Sequence, residues 1–188
     1  MISETIVHLR RRCYLPPINI DTVKALLREY SNQRQQSVDL ILIGGLALQA
    51  YGVHERVTVD VDGELAGELE PLLEFLRARQ VPADLGENIS GWSVVAMPPG
   101  YRDRTSVWHE DGGLRIRLLH PVDFVIAKLR RGTEQDLDDA QEVVRRFHIS
   151  PPDIQAAADA AIHASPKDTA LFTFRKIVDV FCGRIAKI

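Results

Sequence analysis

Asp60 and Asp62 stand at i and i+2 in the segment RVTVDVDG, and strand geometry projects both side chains from one face. Carboxylate oxygens placed this way suit a hard divalent cation, magnesium above all. Magnesium held by one or two carboxylates keeps open positions for phosphate oxygens, and a pair of such ions stabilises both attacking and leaving oxygens in an in-line displacement. The chemistry indicated is phosphoryl or nucleotidyl transfer. Upstream, the apolar run LILIGG ends in Gly44 and Gly45. Glycines there permit close backbone approach, and the start of a following helix offers unpaired N–H groups to a phosphate. Alone, a Gly-Gly after a strand is mostly a tight turn, and an Asp-x-Asp on an edge strand is often a solvated face. Their order and spacing together carry the functional reading.

These residues need a scaffold, and the patterning supplies one. After Pro16-Pro17, Asp21 caps a helix in which Val23, Leu26, Leu27 and Tyr30 recur at helical spacing. Val38 to Ile43 reads as a buried strand, and Gly45 to Tyr51 as a short helix stopped by Gly52. Arg56 to Asp62 alternates with period two, which predicts a strand with Val57, Val59 and Val61 toward the core and Arg56, Thr58, Asp60 and Asp62 opposite. A helix follows over Gly67 to Arg79, a strand over Trp92 to Met97, and a hairpin of Thr105 to His109 and Leu114 to Leu119 around Asp111-Gly112. Four helices complete the chain: Pro121 to Arg131, Thr133 to Phe147, Pro151 to Ala164 and Pro166 to about Ala186, with Ser150 and Ser165 as caps. The expected fold class is α/β (α+β), a small mixed β-sheet flanked by helices and followed by a C-terminal helical bundle. The expected division is 1–120 for the α/β core and 121–188 for helices packed on it.

The chain has 188 residues, 45% hydrophobic and 26% charged, which is enough for one substantial core. Its net charge of −3 gives no global basic field, so a polyanionic partner has to be met locally. MISETIVHLRRR is too short and interrupted in its apolar part for a signal sequence, and no run approaches the roughly 20 apolar residues that span a bilayer. These features place the protein in the cytoplasm, without a membrane partner. Cys13 and Cys182 lie far apart and read as reduced thiols. His54 reads as a loop residue and His120 as a helix-entry residue, and His109, His148 and His163 form no ligand spacing. Trp92, Tyr101 and Trp108 read as core or loop packing, with stacking on a base as the alternative for one of them.

The segment GGLALQAYGVHERVTVDVD resembles the signature of the nucleotidyltransferase superfold, the DNA polymerase β-like group, and within it the bacterial branch similar to AbiEii toxins. MPPGYRDR and KLRRGTEQDLDD are similar to that branch as well. The resemblance implies that Gly44, Gly45, Arg56, Thr58, Lys128 and Arg131 serve the nucleotide, that Asp60 and Asp62 bind Mg2+, and that Asp136 helps complete the catalytic set. It further implies transfer of a nucleoside monophosphate from a nucleoside triphosphate to a tRNA 3′ end or a protein hydroxyl, with a toxin role and an antitoxin partner.

Active members of that superfold resemble one another in a third carboxylate on a strand beside the Asp-x-Asp strand. The positional candidate, LRIRLL, carries Arg115 and Arg117 on its polar face instead. Asp103, Asp111, Asp123 or Asp136 then supplies the third acid, or an arginine neutralises Asp60 and Asp62 and leaves a module that binds without turnover.

Overall fold

The computed structural model describes residues 16–187. Helix α1 (Ile20–Arg34) leads into strand β1 (Val38–Leu42), helix α2 (Gly44–Ala50), strand β2 (Val61–Ala66), helix α3 (Leu69–Ala78) and strand β3 (Ala83–Gly86). A 3-10 turn at Ile89–Trp92 precedes the hairpin of β4 (Ser106–Asp111) and β5 (Leu114–Leu118). Helices α4 (Pro121–Arg131), α5 (Glu134–Phe147), α6 (Pro151–His163) and α7 (Ala170–Ile185) follow. The strands form one mixed sheet in the order β3-β2-β1-β5-β4. β1 runs antiparallel to β2 and parallel to β5, while β2 and β3 are parallel. This is the small mixed sheet flanked by helices that the patterning predicts.

β1 is the central strand: Val38, Leu40 and Leu42 bury one face and Ile41 the other, with Asp39 half-buried on that second face in a pair with Arg117. The β4–β5 hairpin turns at Gly112 and Gly113, whose φ angles of 55° and 93° are the two positive values such a two-residue turn needs. One cluster of buried side chains runs from Ile20 to Cys182 and includes Phe124, Leu129, Val143, Ile154 and Phe181, so the last four helices share a core with the sheet. Ala158 and Ala161 are buried within this chain, where the small residues of α6 pack internally.

Several expectations need correction. The cap of α1 is Asn19, whose side chain accepts from Thr22 N at 2.8 Å, while Asp21 sits in the first turn and pairs with Lys24. The strand expected over Arg56 to Asp62 begins only at Val61. Its partner ends first: Leu42 pairs with Gly63, Ile43 N donates to Asp62 O, and β1 then turns into α2. Residues 56–60 therefore form a loop, fastened by Gln49 Nε2 to Arg56 O and by Ile18 N to Thr58 O, and Val57 is 60% exposed instead of facing the core. Trp92 to Met97 is not a strand either. Its backbone partners are side chains: Ser165 Oγ for Ala96 N, Ser90 Oγ for Met97 N and Arg130 Nε for Val95 O. Ser165 is thus occupied and does not cap α7, which starts at Ala170 and leaves Pro166 outside the helix. Cys182 is a free, buried thiol, whereas Cys13 and the segment MISETIVHLRRR lie outside the described residues. Among the described residues no helix is long and apolar enough to cross a membrane.

Candidate active site

Where β1 ends and β2 begins, a cleft of about 900 Å³ opens between the sheet and helices α4 and α5. Gly44, Gly45, Arg56, Thr58, Asp60, Asp62, Lys128, Arg131 and Asp136 all line it, so the fold gathers these nine residues in one place. It adds one that was not expected. Asp84 on β3 also lines the cleft, and in the parallel β2–β3 register it is the direct partner of Asp62.

The acidic wall is built against the start of α2. Gly44 has φ +65°, and a Cβ there would overlap Asp62 Oδ2 and lie 2.8 Å from its Cγ. A Cβ on Gly45 would lie 2.6 Å from Thr58 Cβ. The two glycines thus let Asp62 and Thr58 rest directly on the backbone, a nearer cause for their presence than a phosphate. Thr58 Oγ1 in turn donates to Asp60 Oδ1 at 2.7 Å and fixes that carboxylate. Burial, with the charges of Asp60 and Asp84 beside it, pushes the Asp62 pKa up to about 6, against the opposing pull of Arg131 and Lys128. The negative charge of Asp62 is therefore disfavoured where it stands, and a proton or a cation would offset it.

The basic wall comes from a tight helix-to-helix turn. Gly132, at φ 66°, ends α4, and Thr133 caps α5 by accepting from Asp136 N. That turn faces the last turn of α4 toward the first turn of α5. Lys128 is buried, and its Nζ donates to Asp139 Oδ2 at 2.7 Å and Asp136 Oδ1 at 3.3 Å. Asp139 also accepts from Arg56 Nε at 3.0 Å, and the Gln135 carbonyl, with its amide turned to suit the surrounding donors, accepts from the same guanidinium. Arg131 reaches Asp136 Oδ2 at 3.3 Å with its side chain 67% exposed, which makes it the cation most available to a ligand. Asp136 is accordingly engaged by Lys128, Arg131 and the Thr133 hydroxyl.

A family model described as "Nucleotidyltransferase of unknown function (DUF6036)" matches residues 19–170. The chain belongs to this nucleotidyltransferase family. No curated protein matches it. The matched region covers the whole cleft. The remaining candidates for a third acid lie elsewhere: Asp111 pairs with Arg28, Asp123 is buried in a two-pronged pair with Arg104, and Asp103 does not line the cleft. The cations of LRIRLL are also committed, Arg117 to Asp39 at 2.7 Å and Arg115 to Glu110.

Asp84 escaped the sequence reading because β3 has only four residues, too few for a periodic signal. A signal did exist. A strand followed by a helix commonly crosses over to a parallel neighbour, so the residues after α3 return beside β2. Ala83 and Leu85 then alternate with Asp84 and Gly86, which places the Asp84 carboxylate next to Asp62.

Among the described residues, no group of three or more His, Cys, Asp or Glu side chains is drawn together closely enough to hold a metal ion by itself. Magnesium does not require such a cage: it dehydrates reluctantly and binds through one or two carboxylates plus substrate phosphates. Asp60 and Asp62 provide hard oxygens, and the raised Asp62 pKa marks negative charge that a cation would offset.

Proposed function

We propose that the protein transfers a nucleoside monophosphate from a nucleoside triphosphate to a hydroxyl acceptor, with pyrophosphate leaving and with Mg2+ as the cofactor. The observation that carries this reading is the convergence of Asp60, Asp62 and Asp84 in one cleft, opposite Arg131 and Lys128. Bound by Asp60 and Asp62, magnesium supplies charge neutralisation for the triphosphate and the leaving group. Asp84 accepts the proton of the attacking hydroxyl. Arg131 meets the phosphates, while Asp136 and Asp139 position Lys128 and Arg56 behind it. The acceptors we favour are a tRNA 3′ end or a protein hydroxyl. A toxin role with an antitoxin partner rests on the AbiEii resemblance alone.

The alternative was a module that binds without turnover, with an arginine replacing the metal. The missing strand carboxylate motivated it; Asp84 stands beside Asp62 in the cleft, and Arg115 and Arg117 are paired outside it, which supports catalysis.

Incubation with Mg2+, each labelled nucleoside triphosphate and total tRNA or cell lysate is expected to transfer label, and Asp60→Ala to abolish it. Absence of transfer together with absence of magnesium-dependent nucleotide binding would sink the proposal. Thr58→Val is a milder probe. It removes the hydroxyl that fixes Asp60, and a hydrogen bond to a charged group contributes about 1.5–3 kcal/mol. We expect the transfer rate to fall about tenfold or more, read in the same assay, with little change in fold by circular dichroism.

A further inference from the structure

The rim of the cleft carries a feature that the chemistry above does not use. Segment 89–95 forms part of the wall, and Trp92 and Ser93 line the cleft from it. Trp92 is 43% exposed, unusual for a side chain with so much apolar surface to bury. It is nonetheless braced. Its indole edge lies against Gly86, where a Cβ would come within 2.6 Å of Nε1 and 3.1 Å of Cε2 and Cζ2. Only a glycine leaves room for the ring at that position.

The backbone under Trp92 is held with equal firmness. Arg130 donates to Val95 O at 2.7 Å, to Ile89 O at 3.2 Å and to Ser90 O at 2.8 Å. Ile89 N donates to the buried Glu64 carboxylate at 2.9 Å. A largely buried guanidinium spent on three carbonyls of one irregular segment fixes that segment's position without using any sheet ladder. The result is a rigid aromatic surface standing open at a cleft mouth.

Its distance from the carboxylates has a meaning. Gly86 follows Asp84 by two residues on the same face of β3, so Trp92 stands about 7 Å along the strand from the acidic group. A ribose separates a phosphate from its base by a comparable span. Val57, 60% exposed, lines the same cleft and adds apolar surface to a site otherwise rich in charge.

We propose that Trp92 is a stacking platform for a nucleobase, held by Gly86 and Arg130 so that the attached phosphate reaches the Asp60–Asp62–Asp84 group. This inference rests on the nucleotidyl transfer reading and adds the class of group recognised beside the metal site. The base belongs either to the donor nucleotide or to an RNA acceptor.

The test uses intrinsic fluorescence. The chain has two tryptophans, so Trp108→Phe leaves Trp92 as the sole reporter. With Mg2+ present, this protein is titrated separately with ATP, GTP, CTP and UTP, with inorganic tripolyphosphate, and with a short single-stranded RNA. Saturable quenching by a nucleotide assigns the base to the donor, quenching by RNA alone assigns it to the acceptor, and tripolyphosphate is expected to quench neither way. In calorimetry, Trp92→Ala should weaken the quenching ligand about tenfold or more while leaving tripolyphosphate binding unchanged, and Trp92→Phe should retain most of the affinity. If nucleotides and RNA bind Trp92→Ala as tightly as the unchanged chain, the platform is overturned while the transfer reading stands. If neither binds the unchanged chain, both fall together.

Discussion

Asp62→Asn is expected to lose nucleotidyl transfer and at the same time to melt at a higher temperature than the unchanged protein. The two effects share one cause. In the folded chain the Asp62 pKa is pushed up from 3.8 to about 6 by burial and by the Asp60 and Asp84 charges, so its ionised form is less favourable there than in the unfolded chain. Between pH about 4 and about 6 the folded state holds a proton that the unfolded state has released. Stability therefore falls as pH rises through that window and is level above it. At neutral pH the ionised carboxylate costs on the order of 2 kcal/mol, allowing for its partial exposure. Asparagine keeps the shape and removes the charge. A gain of that size raises the melting temperature by about 4–8 °C for a chain of this length.

The activity of the same variant should fall on the order of 10²–10³-fold, the scale seen when one preorganised electrostatic group is removed from an active site. Calorimetric melting at pH 4.5 and 7.5 checks the stability half: the advantage of Asp62→Asn should be present at pH 7.5 and largely gone at pH 4.5. Addition of Mg2+ and a nucleoside triphosphate should raise the melting temperature of the unchanged protein and leave the variant unmoved. An Asp62→Asn protein that melts below the parent at neutral pH would show that the carboxylate is already compensated within the fold, and the metal-site proposal would lose its electrostatic basis.

How far the cleft was legible in the sequence depends on how local each signal is. Gly44, Gly45, Asp60 and Asp62 lie within one stretch, and their spacing carried them directly. Lys128, Arg131 and Asp136 were reached only through the resemblance carried by KLRRGTEQDLDD, and the structure supplies the physical reason they meet: Gly132 stops α4 and Thr133 caps α5 between them. Asp84 was missed because its role comes from pairing with a strand distant in sequence, and four residues reveal no period. The loop at 56–60 misled for the opposite reason. Its alternation is real, but a strand needs a partner, and β1 has already turned into α2 at that point. Period two reports which residues alternate, not whether a neighbour exists. The same limit applies to Trp92 to Met97, where Arg130 and two serines take the place of a neighbouring strand.

Gly44→Ala is expected to damage the protein twice, and the two parts can be separated. The first part is backbone. At φ +65° an alanine pays a steric penalty of about 1–2 kcal/mol that glycine avoids. The second part is the site itself, since the added Cβ would take the space of Asp62 Oδ2 and stand 2.9 Å from Asp62 Cβ. Either the carboxylate rotates away from Asp60 and Asp84, or the first turn of α2 withdraws from β2. Both outcomes remove Asp62 from the position proposed for the metal, so transfer should fall about as far as in Asp62→Asn. A double-mutant cycle with Asp62→Ala distinguishes the parts. Shortening residue 62 removes two of the three atoms that the new Cβ meets most closely, leaving the backbone penalty and the 2.9 Å approach to the Cβ of residue 62. The cost of Gly44→Ala in urea denaturation should then be smaller on the Asp62→Ala background by about 1–2 kcal/mol, within the usual range for residues in direct contact. Equal costs on both backgrounds would mean that Gly44 serves only its own dihedral angle. In that case the contact between glycine and carboxylate would have no part in holding Asp62, and the role of Gly44 would return to the approach of a phosphate.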